Sequence, residues 1–95
     1  MLVRMTEVYR DWINSLQDRV GRARIQMRID RLAHGNPGQY RRLTEGICEL
    51  KIDFGPGYRV YYTARAGEII ILLAGGDKSS QRKDIEIARL LAKNL

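Results

Sequence analysis

Gly46-Ile47-Cys48-Glu49-Leu50-Lys51-Ile52-Asp53-Phe54-Gly55-Pro56-Gly57-Tyr58-Arg59-Val60-Tyr61-Tyr62-Thr63 decides the fold. Here the apolar residues recur with a period of two. Cys48, Leu50, Ile52 and Phe54 alternate with Ile47, Glu49, Lys51 and Asp53, the pattern of a half-buried strand. Gly55-Pro56-Gly57 turns the chain. A return strand follows, with Tyr58, Val60 and Tyr62 on one face and Arg59, Tyr61 and Thr63 on the other. Ala66-Gly67 is a second tight turn, and Glu68 to Ala74 is apolar enough for a strand buried on both faces. Gly75-Gly76 breaks that strand, so an antiparallel meander is expected.

Helical periods flank the meander. Thr6 and Glu7 predict a helix N-cap with an acid in the first turn. Val8, Trp12, Ile13 and Leu16 then recur at helical spacing, giving a first helix from Glu7 to about Gln17, with Trp12 in the core or in helix–helix packing. Asp18 can cap a second helix. Val20, Ala23 and Met27 form one row along it and Ile25, Ile29 and Leu32 an adjacent one, predicting a broad apolar face. Arg19, Arg22, Arg24, Arg28 and Arg31 crowd its remaining surface, and His34-Gly35-Asn36-Pro37-Gly38 stops it. Leu2 to Met5 is a candidate short strand. At the other end Ser79 or Ser80 can cap a last helix, with Ile85, Ile87, Ala88, Leu91, Ala92 and Leu95 facing inward. The expectation is one α+β domain over residues 1–95: short strand, two helices, antiparallel meander, C-terminal helix.

Composition excludes several chemistries. Cys48 is the one cysteine and His34 the one histidine, so cysteine metal sites, an internal disulfide, a Ser-His-Asp triad and a two-histidine nuclease all lack parts. Neither a metal nor a cofactor is expected, and Cys48 reads as a small buried hydrophobe. Any catalysis must run on Lys, Arg, Tyr and carboxylates. Seventeen Lys and Arg against eleven Asp and Glu leave a net charge of +6, which favours an anionic partner, nucleic acid first. No stretch approaches the ~20 apolar residues of a membrane span, and Met1 to Thr6 lacks the apolar region of a signal peptide. A cytoplasmic protein is expected.

Alternation places Glu49, Lys51 and Asp53 on the face opposite Leu50, with Arg59 and Tyr61 beside them on the next strand. Gly75-Gly76-Asp77-Lys78 can deliver Lys78 to the edge of that face. Lysine and arginine attract a phosphodiester, and a tyrosine ring offers a base a stacking surface. The same pairs can also serve merely to solvate a sheet. The expectation is that Arg59 and Lys78 converge on an open patch of the sheet where a nucleic-acid backbone can lie.

The segments Gly46 to Asp53, Gly55-Pro56-Gly57-Tyr58-Arg59-Val60-Tyr61-Tyr62, Leu72 to Gln81 and Asp84-Ile85 resemble one group of the RelE/ParE toxin superfamily. This group is the HigB-like proteins called addiction module killer proteins. Trp12-Ile13, Arg22-Ala23-Arg24-Ile25, and Arg31-Leu32-Ala33 before Gly35-Asn36-Pro37-Gly38 fit as well, so the similarity spans nearly the whole chain.

The resemblance implies a RelE-like fold and the toxin of a type II toxin–antitoxin system. It further implies a metal-independent endoribonuclease that cuts mRNA on the ribosome by attack of a ribose 2′-OH on the adjacent phosphate. Arg59, Lys51 and Lys78 match the family's basic site residues. A second strand lysine of RelE falls at Glu49 here, and its C-terminal tyrosine falls near Asp84, which leaves Asp77, Asp84 or Tyr61 to share the acid–base work. Arg22, Arg28 and Arg82 are additional candidates for RNA contact. The implied partners are mRNA and the ribosome, a helix-turn-helix antitoxin from a neighbouring gene, and operator DNA through the antitoxin complex. ParE-type relatives imply the alternative, inhibition of DNA gyrase by protein–protein contact without nuclease chemistry.

Overall fold

The computed structural model describes residues 1–95. The order is β1 (Leu2–Met5), α1 (Glu7–Ser15), α2 (Arg19–Ala33), β2 (Tyr40–Arg42), β3 (Ile47–Ile52), β4 (Tyr58–Arg65), β5 (Ile69–Gly76), a 3-10 turn (Lys78–Ser80) and α3 (Gln81–Lys93). The five strands form one mixed sheet in the order β1-β5-β4-β3-β2. β2 to β5 are an antiparallel meander, and β1 closes the far edge by pairing parallel to β5. The α+β class and the expected order of elements are found, with β2 and the 3-10 turn as additions that the sequence did not announce. No helix is long and apolar enough to cross a membrane.

Two expected caps form. The Thr6 hydroxyl accepts from the Tyr9 amide, and an Asp18 carboxylate oxygen accepts from the Gly21 amide at 2.9 Å. Each satisfies a donor that a helix start would otherwise strand. Asp18 also accepts a 2.7 Å bond from the Tyr58 hydroxyl, tying the start of α2 to β4. Burial and this carboxylate push the Tyr58 hydroxyl up to about 12. The third cap differs from expectation. Ser80 is the N-cap of α3 but makes no side-chain cap bond. The Asp77 carboxylate caps the preceding 3-10 turn instead, accepting from the Ser79 amide at 2.8 Å.

One face of the sheet packs under α1 and α2. Ile25, Ile29 and Leu32 of α2 meet Leu50, Ile52, Tyr58, Val60, Tyr62, Ile70 and Leu72, with Tyr9 of α1 completing the cluster. Each fully buried aliphatic side chain contributes about 1.5–3 kcal/mol. The apolar face of α2 is narrower than its sequence suggests, because Val20 and Met27 are exposed. The α1 contribution is also redistributed: Val8 is exposed, Trp12, Ile13 and Leu16 are partly covered, and Tyr9 carries the burial. Cys48 is half-buried at the periphery of this core.

The opposite face is where structure and expectation part most. It is not an open polar surface, because α3 packs across it. Ala88 is buried against Ile47, Tyr61, Leu73 and Ala74, with Ile85, Ile87, Leu91 and Ala92 around them. Leu95 stays exposed. β5 does not break at Gly75-Gly76 but runs through both glycines. Close packing explains them, since a methyl at Gly75 would overlap the Trp12 indole and one at Gly76 the Asp84 carboxyl.

Candidate functional site

A groove of about 460 Å³ opens where β2 and β3 meet the start of α3, lined by Gln39, Tyr40, Arg41, Glu49, Lys51, Arg59 and Gln81. Its geometry follows from strand register. Arg41 lies opposite Glu49, and Lys51 opposite Arg59, so antiparallel pairing brings the four charges together. Glu49 is the hub and is only 2% exposed. It accepts from Arg41 Nε at 2.8 Å and from Gln81 Nε2 at 2.9 Å, while Arg59 Nε stands 3.8 Å away. Burial opposes ionisation of Glu49 most strongly. The hydrogen bonds from Arg41 and Gln81 outweigh it and hold the carboxyl below the usual range.

Arg59 lies at the floor of the groove with 6% of its surface exposed. Its Nη1 donates to the Gly57 carbonyl at 2.8 Å, whereas Nε has no hydrogen-bond partner. A buried guanidinium so thinly paired is costly, and an anion held in the groove beside it would offset its charge. Lys51 is half-buried on the groove wall, and the Arg41 side chain at the rim is 58% exposed. Three cations against one carboxylate leave the opening net positive. Arg82 extends the rim beside Arg41 and Gln81 along α3.

Arg59 and Lys51 thus come together in the groove, and Arg82 lines the adjoining opening. Lys78 does not line the groove, but its Cβ lies near: a methyl built on Gly57 would stand 3.4 Å from Arg59 Nη1 and 3.6 Å from Lys78 Cβ. Arg59 and Lys78 do share one end of the sheet. The expected open patch does not exist, however: Arg59 is buried and ion-paired, and only a groove reaches it.

Other expected site residues are placed elsewhere. Tyr61 is fully buried under α3 and has no free ring face to stack on a base. Burial, then the Glu49 carboxylate, raises its hydroxyl above the ordinary value, and that hydroxyl has no hydrogen-bond partner. Asp77 is engaged as a cap. Asp84 is buried behind Gly76 and accepts from the Ser80 hydroxyl at 2.5 Å; burial raises its carboxyl above the ordinary value. Arg22 lines a different groove, between α1 and α2. Arg28 is structural, donating to the carbonyls of Lys51 (2.7 Å), Pro37 (3.0 Å) and Gln39 (2.8 Å). Conversely, sequence reasoning did not single out Arg41, Gln81 or Tyr40, and took Glu49 as a departure rather than a hub.

A family model described as "Phage derived protein Gp49-like (DUF891)" matches residues 11–93, a span that includes every residue lining the groove. The chain belongs to the Gp49-like family. A Haemophilus influenzae protein, "Uncharacterized protein", is 45% identical over 93 residues, covering 98% of this chain and 94% of that one. No solved structure matches. In this Gp49-like chain the side chains that converge suit the binding of an anionic backbone more readily than proton transfer, for the one carboxylate in the groove is already engaged by two donors.

Proposed function

We propose that this chain is the toxin of a type II toxin–antitoxin pair and that it blocks translation by cutting mRNA in the groove around Arg59. The observation that carries the proposal is a buried guanidinium with an unused donor at the floor of an opening walled by Lys51 and rimmed by Arg41. The resemblance of the Gly55–Tyr62 and Gly75–Ser79 segments to RelE-like toxins and the net charge of +6 support the same reading. The RelE-like identity of the fold is part of the proposal.

In this mechanism an RNA phosphate enters between Arg41 and Lys51 and takes over the Arg41 guanidinium from Glu49. The ribose 2′-oxygen attacks the adjacent phosphorus and the bond to the 5′-oxygen breaks; the 5′-oxygen leaves with the bonding pair and takes a proton from solvent water, giving a 5′-hydroxyl and a 2′,3′-cyclic phosphate. Arg59, Lys51 and Lys78 stabilise the charge that grows on the phosphoryl oxygens. Glu49, released from Arg41, accepts the 2′-hydroxyl proton. A carboxyl held low is a weak base, so electrostatic stabilisation supplies most of the rate. Positioning by the ribosome supplies the remainder. The proposed partners are the ribosome with its mRNA and a helix-turn-helix antitoxin that also binds operator DNA.

Brief induced expression followed by primer extension on abundant mRNAs tests this. The wild type should stop growth and create new mRNA 5′ ends, and Lys51→Ala should lower cleavage about a hundredfold. Growth arrest with intact mRNA would contradict the proposal. If DNA supercoiling fell at the same time, gyrase inhibition of the ParE type would take its place.

A further inference from the structure

Arg24 of α2 lies over the Phe54 ring, its guanidinium carbon 4.5 Å from the ring centroid. Phe54 follows β3 and is half-buried against the core, while Met27 beside it is 57% exposed. These residues, with Arg31, Gln39 and Asp53, line a second cavity of about 450 Å³. Neither Arg24 nor Arg31 takes part in the ion pairs of the chain, which join Arg41, Arg59 and Arg89 to Glu45, Glu49 and Glu86. The arginines of this cavity therefore do not merely balance neighbouring carboxylates.

The cavity adjoins the Arg59 groove. Gln39 lines both openings, and its carbonyl is held by Arg28, which also holds the Lys51 carbonyl of β3. The shared wall is thus fixed to α2. A few nucleotides suffice to bridge two openings that share a wall residue.

An aromatic ring paired with a guanidinium, next to an exposed methionine and an unpaired arginine, matches a nucleotide rather than a bare anion. A base stacks on the outer, exposed face of the Arg24 guanidinium, whose inner face rests on the Phe54 ring, and Arg31 takes the adjoining phosphate. We infer that the Arg24/Phe54 cavity is a subsite for an unpaired nucleobase of the same RNA strand whose backbone lies in the Arg59 groove. This inference rests on the RNA reading of that groove. It adds a point at which single-stranded RNA is preferred over duplex, because a base within a helix has no free face to offer.

The test uses the full chain and a fluorescent, non-cleavable 2′-O-methyl single-stranded RNA, with affinity read by anisotropy at constant salt. Phe54→Ala and Arg24→Gln should each weaken binding about tenfold. With an RNA lacking bases, these variants and the wild type should bind alike. Arg24 is exposed, so Arg24→Gln keeps the test decisive if Phe54→Ala disturbs the core. Normal RNA binding by folded Arg24→Gln, with Lys51→Ala weakened, overturns the subsite and leaves the groove reading standing. Equal losses on RNA with and without bases also overturn it, since the contact would then be to phosphate alone. Failure of the wild type to bind the RNA at all overturns both.

Discussion

Removing the Glu49 carboxylate should destabilise this protein far more than removing any exposed charge. Glu49→Leu strips the acceptor from Arg41 and Gln81 and takes the counter-charge from Arg59, which is 6% exposed. Deleting one partner of a buried ion pair costs roughly 3–5 kcal/mol, because the other charge stays desolvated. The groove gives Arg59 limited access to water, which places the expectation near the lower end, about 3 kcal/mol. By contrast Arg41→Ala removes one of two donors to Glu49 while Gln81 and Arg59 stay in place, and should cost less, about 1–2 kcal/mol. Urea denaturation separates these values. With a slope of about 1–3 kcal/mol/M, Glu49→Leu should lower the midpoint by at least about 1 M. The double variant Glu49→Leu/Arg59→Met should recover most of the loss, since no charge is then left without a partner. The effect must also depend on pH with a definite sign. The folded-state pKa of Glu49 is depressed, so its contribution is fully present above the ordinary carboxylate value of about 4.3 and is lost as pH falls through the folded value. A Glu49→Leu cost below about 1 kcal/mol at pH 7, or a double variant as unstable as the sum of the singles, would refute this reasoning.

Other expectations follow from single contacts. Arg28→Ala removes three hydrogen bonds to carbonyls and should cost about 2–3 kcal/mol, with faster amide exchange around Gly38 and Gln39. Unchanged exchange there would mean that Arg28 does not hold the loop. Asp84→Asn should stabilise the protein at pH 7, because burial disfavours the ionised carboxyl. A raised folded pKa favours folding at low pH, so thermal melts should show that gain disappearing below the ordinary carboxylate value of about 4; a gain that persists there contradicts the assignment. Gly75→Ala should cost about 1–3 kcal/mol by driving a methyl into the Trp12 ring, and Trp12→Leu in the same chain should recover part of it. An undiminished melting temperature for Gly75→Ala would show that α1 sits further from β5 than the structure has it.

Much of the fold was legible because its signals are local. Thr6 and Asp18 announced two helix starts, and the switch to a period of two at Gly46 announced β3 and β4 with their faces assigned correctly. β2 was missed because three residues, Tyr40–Arg42, carry no detectable period, and with it went Arg41. The covered sheet face was misjudged for a different reason. Alternation tells which side chains share a face but not whether another layer lies on it. A signal was present: Ile47 and Tyr61 shared the supposedly polar face, and the apolar side of α3 needed somewhere to pack. Asp77, Asp84 and Tyr61 carried an expected share of the acid–base work because the resemblance left that role unfilled, whereas capping and burial decide what they do. Glu49 shows the converse. Its central position depends on register between three strands, which no single segment encodes.

The central claim is that RNA lies in the groove walled by Lys51 and floored by Arg59. The most direct measurement is an amide NMR titration of the folded chain with 2′-O-methyl single-stranded RNA. The account predicts resonance shifts concentrated at Arg41, Lys51, Arg59 and Gln81, weakening steeply as salt is raised. Shifts confined to the groove between α1 and α2 around Arg22, or no shifts at low salt, would contradict it.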